Sequence, residues 1–289
     1  MPEFVVGEEL DGITVRAFLR KHCGVSARLL AKLKRVDKGM TVGGRTVRSI
    51  DLLRAGDVIC LCFPEDATEI EPVELPLDIV YEDSTMIVFN KPPFMPVHPV
   101  RNHQRDTLAN GAIYYLAGKG ENCTFRPVNR LDRDTSGLVL AAKSSFAHAF
   151  LANNTEKKYT ALCEGVITEG GTVDAPIMLR PGSLMERQVG EGGVRAVTHY
   201  SPIEQCRGHT LLELELETGR THQIRTHMAS IGHPLAGDEL YGGSREIFER
   251  QCLHCSELAL IHPLTHEKIV LKSAPEDWIG MLKNYHMNP

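Results

Sequence analysis

The sequence predicts an α+β fold, with a small α+β domain at the N-terminus and a larger domain built on a mixed, mostly antiparallel sheet. Two observations lead to this prediction. In the first 63 residues, two helical patterns precede a hairpin pattern and one further strand. From residue 79 onward, short strand-like segments outnumber helical ones, a mix that favours a largely antiparallel sheet.

Length and composition divide the chain into two domains. A chain of 289 residues is too long for one typical small domain. Residues 64–78 hold Pro64, Pro72 and Pro76 among acidic residues, which is the composition of a linker. We therefore expect an N-terminal domain at residues 1–63, a linker at 64–78 and a second domain at 79–289.

Charge is distributed unevenly along the chain. The formal net charge of −5 by itself argues against a nucleic-acid partner. However, residues 11–60 contain eleven Lys or Arg and four Asp or Glu, whereas residues 61–83 contain eight Asp or Glu and neither Lys nor Arg. Such asymmetry indicates that one segment binds nucleic acid.

The N-terminal domain begins with two predicted helices. The first spans residues 12–24, with Val15, Phe18 and Leu19 on its apolar face and Gly24 as its stop. Ser26 can cap the second, from Ala27 to Arg35. The basic residues of this second helix are spaced i, i+4, i+7 and would form one exposed stripe; they are Arg28, Lys32 and Arg35.

After the helices come a hairpin, at Met40–Val42 and Arg45–Val47, and a strand from Val58 to Phe63. In the second domain, helical patterns lie at Thr107–Leu116, Ser145–Asn153 and His222–Ser230. The strands expected there are Ile79–Tyr81, Met86–Phe89, an apolar strand after Gly137, Tyr159–Cys163, Val197–Tyr200, Thr210–Leu216 and Lys268–Leu271.

The densest polar segment runs from Arg126 to Leu140 and contains two carboxylates, Asp132 and Asp134. Positive charge from Arg130 and Arg133 would keep a partly buried carboxylate ionised. On spacing alone, a catalytic pair and an ordinary salt-bridged loop are both open.

Four ordered segments carry a resemblance to a known family. Asn-Arg-Leu-Asp-Arg-Asp-Thr-Ser-Gly, ending at Gly137, resembles the signature of the RluA-type pseudouridine synthases. The other three are similar to further motifs of that family, in the right order across residues 79–273; they are Asn90–Pro99, Lys158–Ala161 and Glu217–Arg225, the last followed by Gly232–Pro234 and Gly237–Tyr241. The N-terminal module resembles an RNA-binding domain first known from a small-subunit ribosomal protein.

The resemblance implies a catalytic domain with a central cleft and a set of site residues. It implies that Asp132 is the catalytic carboxylate, that Tyr159 stacks on the target base, and that Arg225, with Arg220 as second choice, pairs with the carboxylate. RNA contacts are expected from the remaining candidates, which are Asn129, Arg130, Arg133, Arg220, Arg28, Lys32 and Arg35. The family commonly has His where this chain has Asn129, which bears on the RNA site more than on the chemistry.

The expected activity is the isomerisation of uridine to pseudouridine in ribosomal or transfer RNA, by a monomer in the cytoplasm. This reaction needs no cofactor, and the lone pair Cys252 and Cys255 does not complete a metal site. No apolar run is long enough to span a bilayer, and no signal peptide is evident. Two alternatives remain, a catalytically silent RNA-binding or ribosome-assembly protein and a glycosidic hydrolase that uses Asp132 with Asp134.

Overall fold

The computed structural model describes residues 2–62, 70–121, 124–275 and 277–280. In the N-terminal domain, helices α1 (Val15–Lys21) and α2 (Ala27–Leu33) pack against a four-stranded antiparallel sheet of order β1-β4-β2-β3. Its strands are β1 (Glu3–Val5), β2 (Met40–Val42), β3 (Arg45–Thr46) and β4 (Val58–Leu61). Strand β1 was not predicted from the sequence.

Both helices begin where a hydroxyl group caps them. The side chain of Thr14 accepts a hydrogen bond from the amide of Ala17, and that of Ser26 from the amide of Leu29. The prediction that α2 reaches Arg35 is wrong by two residues. The amide of Arg35 bonds to the carbonyl oxygen of Lys32, three residues back rather than four, so Arg35 lies in the turn after the helix.

The second domain is built on a ten-stranded sheet, which confirms the predicted mostly antiparallel α+β class. The order is β10-β13-β14-β9-β15-β8-β6-β5, with β16 paired to β15 and β7 paired to β8. Only the pairing of β8 with β15 is parallel among the described strands. The strands are β5 (Ile79–Glu82), β6 (Met86–Lys91), β7 (Arg126–Pro127), β8 (Ser136–Ala142), β9 (Thr155–Glu164), β10 (Gly171–Asp174), β13 (Val197–Cys206), β14 (His209–Leu216), β15 (Leu253–Ile261) and β16 (Lys268–Lys272).

Three helices lie where the sequence predicted them, at α3 (Leu108–Gly118), α4 (Ser145–Leu151) and α5 (Gln223–Ser230). A separate two-stranded hairpin consists of β11 (Ile177–Leu179) and β12 (Arg187–Val189). A short 3-10 helix spans Glu239–Tyr241. The structure adds β7, β10, β11, β12 and β15 to the predicted strands. No helix in the described ranges is long and apolar enough to cross a membrane.

The two domains meet at α4. The ring of Phe146 is 1% exposed and belongs to the apolar cluster of the N-terminal domain. It packs edge-on against Phe4 at a centroid distance of 5.4 Å.

Residues 70–78 of the expected linker run along α3, where the Asn110 side chain donates to the carbonyl oxygen of Glu71 at 2.8 Å. Residues 64–69 of that linker, and Phe63 at the end of the predicted strand before it, lie outside the described residues.

Candidate active site

Asp132 lies in a tight turn that leads into the central strand β8. The amide of Thr135 bonds to the carbonyl oxygen of Asp132 at 3.2 Å, and every residue of β8 is buried. The side chain of Asp132 is 27% exposed and faces a cleft of about 1070 Å³. A turn at the end of a buried strand therefore presents a carboxylate to the cleft from a rigid base.

Arg225 of α5 contacts the Asp132 carboxylate, which is the pairing that the family resemblance implied for it. Its Nη1 donates to Oδ2 of Asp132 at 3.1 Å, while its Nε and Nη2 donate to the two carboxylate oxygens of Asp238 at 2.7 and 2.8 Å. Burial alone would lower the pKa of Arg225, but the carboxylates of Asp238 and Asp132 raise it above its ordinary value. The guanidinium is therefore a permanent cation at the carboxylate.

His222 is a second group beside Asp132, and the sequence analysis did not assign it to the site. Its Nε2 lies 3.8 Å from Oδ2 of Asp132, and its Nδ1 lies 2.8 Å from the hydroxyl oxygen of Tyr241. Its backbone has φ 55°, a left-handed conformation that residues other than glycine rarely adopt. Burial, with a contribution from Arg225, lowers the pKa of His222 even though Asp132 raises it.

Tyr159 projects from the middle of β9 and lines a small pocket of about 60 Å³ that Asp132 and Arg225 also line. It is 6% exposed, and burial raises the pKa of its hydroxyl well above its ordinary value. The phenol is therefore protonated at neutral pH. The pocket therefore brings an aromatic side chain close to the Asp132 carboxylate.

Three arginines expected to contact RNA are exposed around this site. Arg130 lines both the cleft and the small pocket. Arg133 pairs with Asp134 at 2.6 Å, and Arg220 donates from Nε to the carbonyl oxygen of Arg195 at 3.1 Å. Asp134 is thus engaged by its neighbour in a turn, rather than aligned with Asp132 along a strand.

Asn129 is used differently from the expected substrate contact. Its side chain is 7% exposed; its Nδ2 donates to the carbonyl oxygen of Leu138 at 3.0 Å and its Oδ1 accepts from the amide of Leu140 at 2.8 Å. Both polar atoms are therefore occupied by the backbone of β8. The amide holds the strand behind the Asp132 turn and does not face the cleft.

The basic residues expected on α2 are on the surface where the structure describes them. Lys32 and Arg35 are exposed, and the side chain of Arg28 lies outside the described residues.

Within the described ranges, no three His, Cys, Asp or Glu side chains come together in a way that could hold a metal ion.

Sequence reasoning missed three residues around Asp132, namely His222, Asp238 and Tyr241. Their signal was present in the Thr-His-Gln-Ile-Arg and Gly-Asp-Glu-Leu-Tyr segments, which carried the family resemblance without a role for these side chains. Two buried cations behind the Asp132 turn, Lys91 and Arg250, are also part of its support. The sequence analysis gave Lys91 a structural role and left Arg250 unassigned.

Comparisons with known proteins agree with this geometry. Residues 85–230 match the family model described as RNA pseudouridylate synthase. The chain is 41% identical over 271 residues to the uncharacterized RNA pseudouridine synthase YjbO of Bacillus subtilis (strain 168), covering 90% of this chain and 95% of that protein. It is 37% identical over 297 residues to ribosomal large subunit pseudouridine synthase D of Pseudomonas aeruginosa, covering 96% of this chain and 91% of that protein.

Among solved structures, human RNA Pseudouridylate Synthase Domain Containing 1 is similar in fold. The TM-score is 0.58 at 22% identity, with 78% of this chain and 98% of that chain covered. The family model and the relatives in sequence carry the assignment, and the solved structure supports the fold. The chain belongs to the RluA-type RNA pseudouridine synthases, isomerases that convert uridine to pseudouridine in RNA.

Proposed function

We propose that this enzyme modifies uridines of large-subunit ribosomal RNA, with Asp132 as its catalytic carboxylate. The observation that carries the proposal is the contact of 3.1 Å between Asp132 and Arg225 in the wall of the large cleft. The choice of RNA rests on relatives such as the ribosomal large subunit pseudouridine synthases D of Pseudomonas aeruginosa and Pasteurella multocida.

The reaction defines what the carboxylate has to do. The bond between N1 of uracil and C1′ of ribose breaks, a bond between C5 and C1′ forms, and the proton lost from C5 balances the proton gained at N1. A carboxylate promotes such a step as a nucleophile or as a stabiliser of an oxocarbenium-like sugar. Both roles use the ionised form of Asp132, and in the structure its Oδ2 accepts a hydrogen bond from Nη1 of Arg225 at 3.1 Å.

The target base has to leave the RNA stack to reach Asp132, because the carboxylate lies inside the cleft wall. In the proposed complex, the uracil ring enters beside Tyr159 and stacks on its aromatic face. Stacking keeps the cleaved base next to the sugar while it turns to present C5. The protonated phenol of Tyr159 serves here as a surface rather than as a base.

RNA is bound at two surfaces in this proposal. The exposed arginines at the site, Arg130, Arg133 and Arg220, contact phosphates near the target nucleotide. The basic residues of the N-terminal domain, Arg28, Lys32 and Arg35, contact phosphates further along the RNA. The site groups all come from one chain, so a monomer is sufficient, and the cytoplasm is the compartment we propose.

The test is the release of tritium from RNA labelled at C5 of uridine. We expect release by the wild type and none by Asp132→Asn, which removes the charge while keeping the shape. Asp134→Asn is compared in parallel and should still release tritium, whereas a carboxylate-pair hydrolase would break only the bond between N1 and C1′ and release no tritium in any variant. Absence of release by the wild type, on RNA from cells lacking the enzyme, would contradict the proposal and favour a silent RNA-binding protein.

A further inference from the structure

Two side chains lie against the Asp132 carboxylate, and one short segment holds both of them. Arg225 donates to Asp132 at 3.1 Å, and Nε2 of His222 lies 3.8 Å from the same oxygen. Behind them stands the segment 238–241, in which Asp238 binds Arg225 and Tyr241 contacts both Arg225 and His222. The groups that touch Asp132 are therefore supported by residues that do not.

Asp238 holds the Arg225 guanidinium in one orientation. Its two oxygens accept from Nε and Nη2 at 2.7 and 2.8 Å, and its side chain is 1% exposed. This two-point contact fixes the plane of the guanidinium and leaves Nη1 directed at Asp132. Asp238 also offsets the charge of a cation that is itself 8% exposed, so Arg225 can be buried at the site.

Tyr241 acts on both partners of Asp132. Its ring lies 4.9 Å from the guanidinium carbon of Arg225, and it meets the His222 ring edge-on at 5.7 Å. Its hydroxyl oxygen accepts from the amide of Arg187 at 2.9 Å, which leaves the hydroxyl proton free to bond to Nδ1 of His222 at 2.8 Å. That assignment places the imidazole proton on Nε2, the nitrogen nearest Asp132.

Gly237 and Gly243 flank the segment 238–241 and allow its backbone to pack closely against neighbouring carbonyl groups. Gly237 has φ 77°, and a Cβ there would lie 1.9 Å from the carbonyl oxygen of Arg250. A Cβ on Gly243 would lie 2.0 Å from the carbonyl oxygen of Leu235. The backbone is therefore packed too closely for any other residue, and Asp238 and Tyr241 start from fixed positions.

We propose that Asp238 and Tyr241 are positioning residues of the pseudouridine synthase reaction, which orient the Asp132 carboxylate through Arg225 and His222. This inference rests on the proposed catalytic role of Asp132. A carboxylate that attacks or stabilises a sugar carbon has to be held within a fraction of an ångström. Arg225 and His222 have side chains long enough to adopt other rotamers, and the segment 238–241 removes that freedom.

The experiment compares Asp238→Asn and Tyr241→Phe with the wild type in single-turnover tritium release at saturating enzyme, together with the affinity for the same RNA. Groups that orient the ligands of a metal ion typically contribute about 10–100-fold, and we expect a comparable reduction in rate for Asp238→Asn and about tenfold for Tyr241→Phe. RNA affinity should stay within about twofold, because neither side chain supplies a phosphate contact.

The matched control is Glu82→Gln, which removes the charge from another mostly buried ion pair, with Lys143, in a strand that lines neither pocket. It should lower thermal stability and leave the rate unchanged. Wild-type rates in both Asp238→Asn and Tyr241→Phe, or a loss confined to RNA affinity, would overturn the inference. If Asp238→Asn does not fold, Tyr241→Phe, which keeps the ring, decides alone. A wild type without activity would instead overturn the proposed function.

Discussion

The ammonium nitrogen of Lys91 lies 3.1 Å from the main-chain carbonyl oxygen of Arg133, the residue that follows Asp132. Nη1 of the buried Arg250 donates to the next carbonyl oxygen, that of Asp134, at 3.0 Å. Two buried basic side chains therefore hold two successive carbonyl groups of the turn that contains Asp132. The position of Asp132 depends on these contacts as well as on those at its carboxylate.

We expect Lys91→Met to loosen this turn. The variant removes three hydrogen bonds, to the carbonyl oxygens of Arg133, Pro92 and Met95. Burial, together with the Arg250 guanidinium, lowers the pKa of Lys91 to about 7. The charged form of Lys91 therefore costs free energy in the folded protein, which offsets part of what its hydrogen bonds contribute. The net loss in free energy of unfolding should be about 1–3 kcal/mol, measured by urea denaturation.

The same variant should also release tritium more slowly at saturating RNA, since Asp132 is held less firmly. Lys268→Met is the control, because Lys268 is exposed on β16. If Lys91→Met matched the wild type in both stability and rate, the turn would not depend on Lys91.

Asn129→Ala tests whether this residue serves the fold or the RNA. The variant leaves the buried carbonyl group of Leu138 and amide group of Leu140 without their side-chain partner. We expect a loss of about 1–3 kcal/mol in the free energy of unfolding, with RNA affinity unchanged in the folded protein. If Asn129→Ala were as stable as the wild type but bound RNA more weakly, Asn129 would contact RNA, as the family resemblance implied.

Phe146→Ala tests the junction between the domains. The ring is buried in the N-terminal cluster although the residue belongs to α4, so its removal leaves a cavity at the junction. Differential scanning calorimetry should show a destabilisation of about 3–5 kcal/mol. Ile203→Ala, at a side chain that is 57% exposed, should change stability little. Equal melting curves for the two variants would mean that the domains do not depend on this contact.

Glu82 should make stability depend on acid pH. Burial raises its pKa, but hydrogen bonds from Lys143, Lys119 and Tyr115 outweigh burial and bring the pKa to about 2. An unfolded Glu titrates near about 4.3, so the ionised form stabilises the fold above that pH. This contribution is lost as the pH falls from about 4.3 towards about 2, where the folded protein also takes up the proton.

Urea denaturation across that pH range gives the measurement. The difference in stability between wild type and Glu82→Gln should be largest near neutral pH and shrink as the pH approaches the folded pKa. A difference that stays constant with pH would show that the three donors do not lower the pKa of Glu82.

The sequence by itself determined the local structure and the candidate residues. Helical periodicity predicted α1, α2 and the helices of the second domain, and Ser26 was predicted as the cap of α2, because these signals act within a few residues. The motif around Asp132 and the motif that ends at Arg225 were also visible in the sequence. Strand β15 was missed, since its first three residues are all buried and buried positions do not alternate regularly along it.

Only the tertiary structure decided how distant residues meet. It placed Arg225 rather than Arg220 against Asp132, turned Asn129 towards β8, and brought Asp238, Tyr241 and His222 behind the carboxylate. Asp132 and Arg225 are 93 residues apart in the chain, so their contact follows from the order of the strands between them. Side-chain direction in a loop likewise depends on which backbone groups lie nearby, and no local pattern encodes that neighbour.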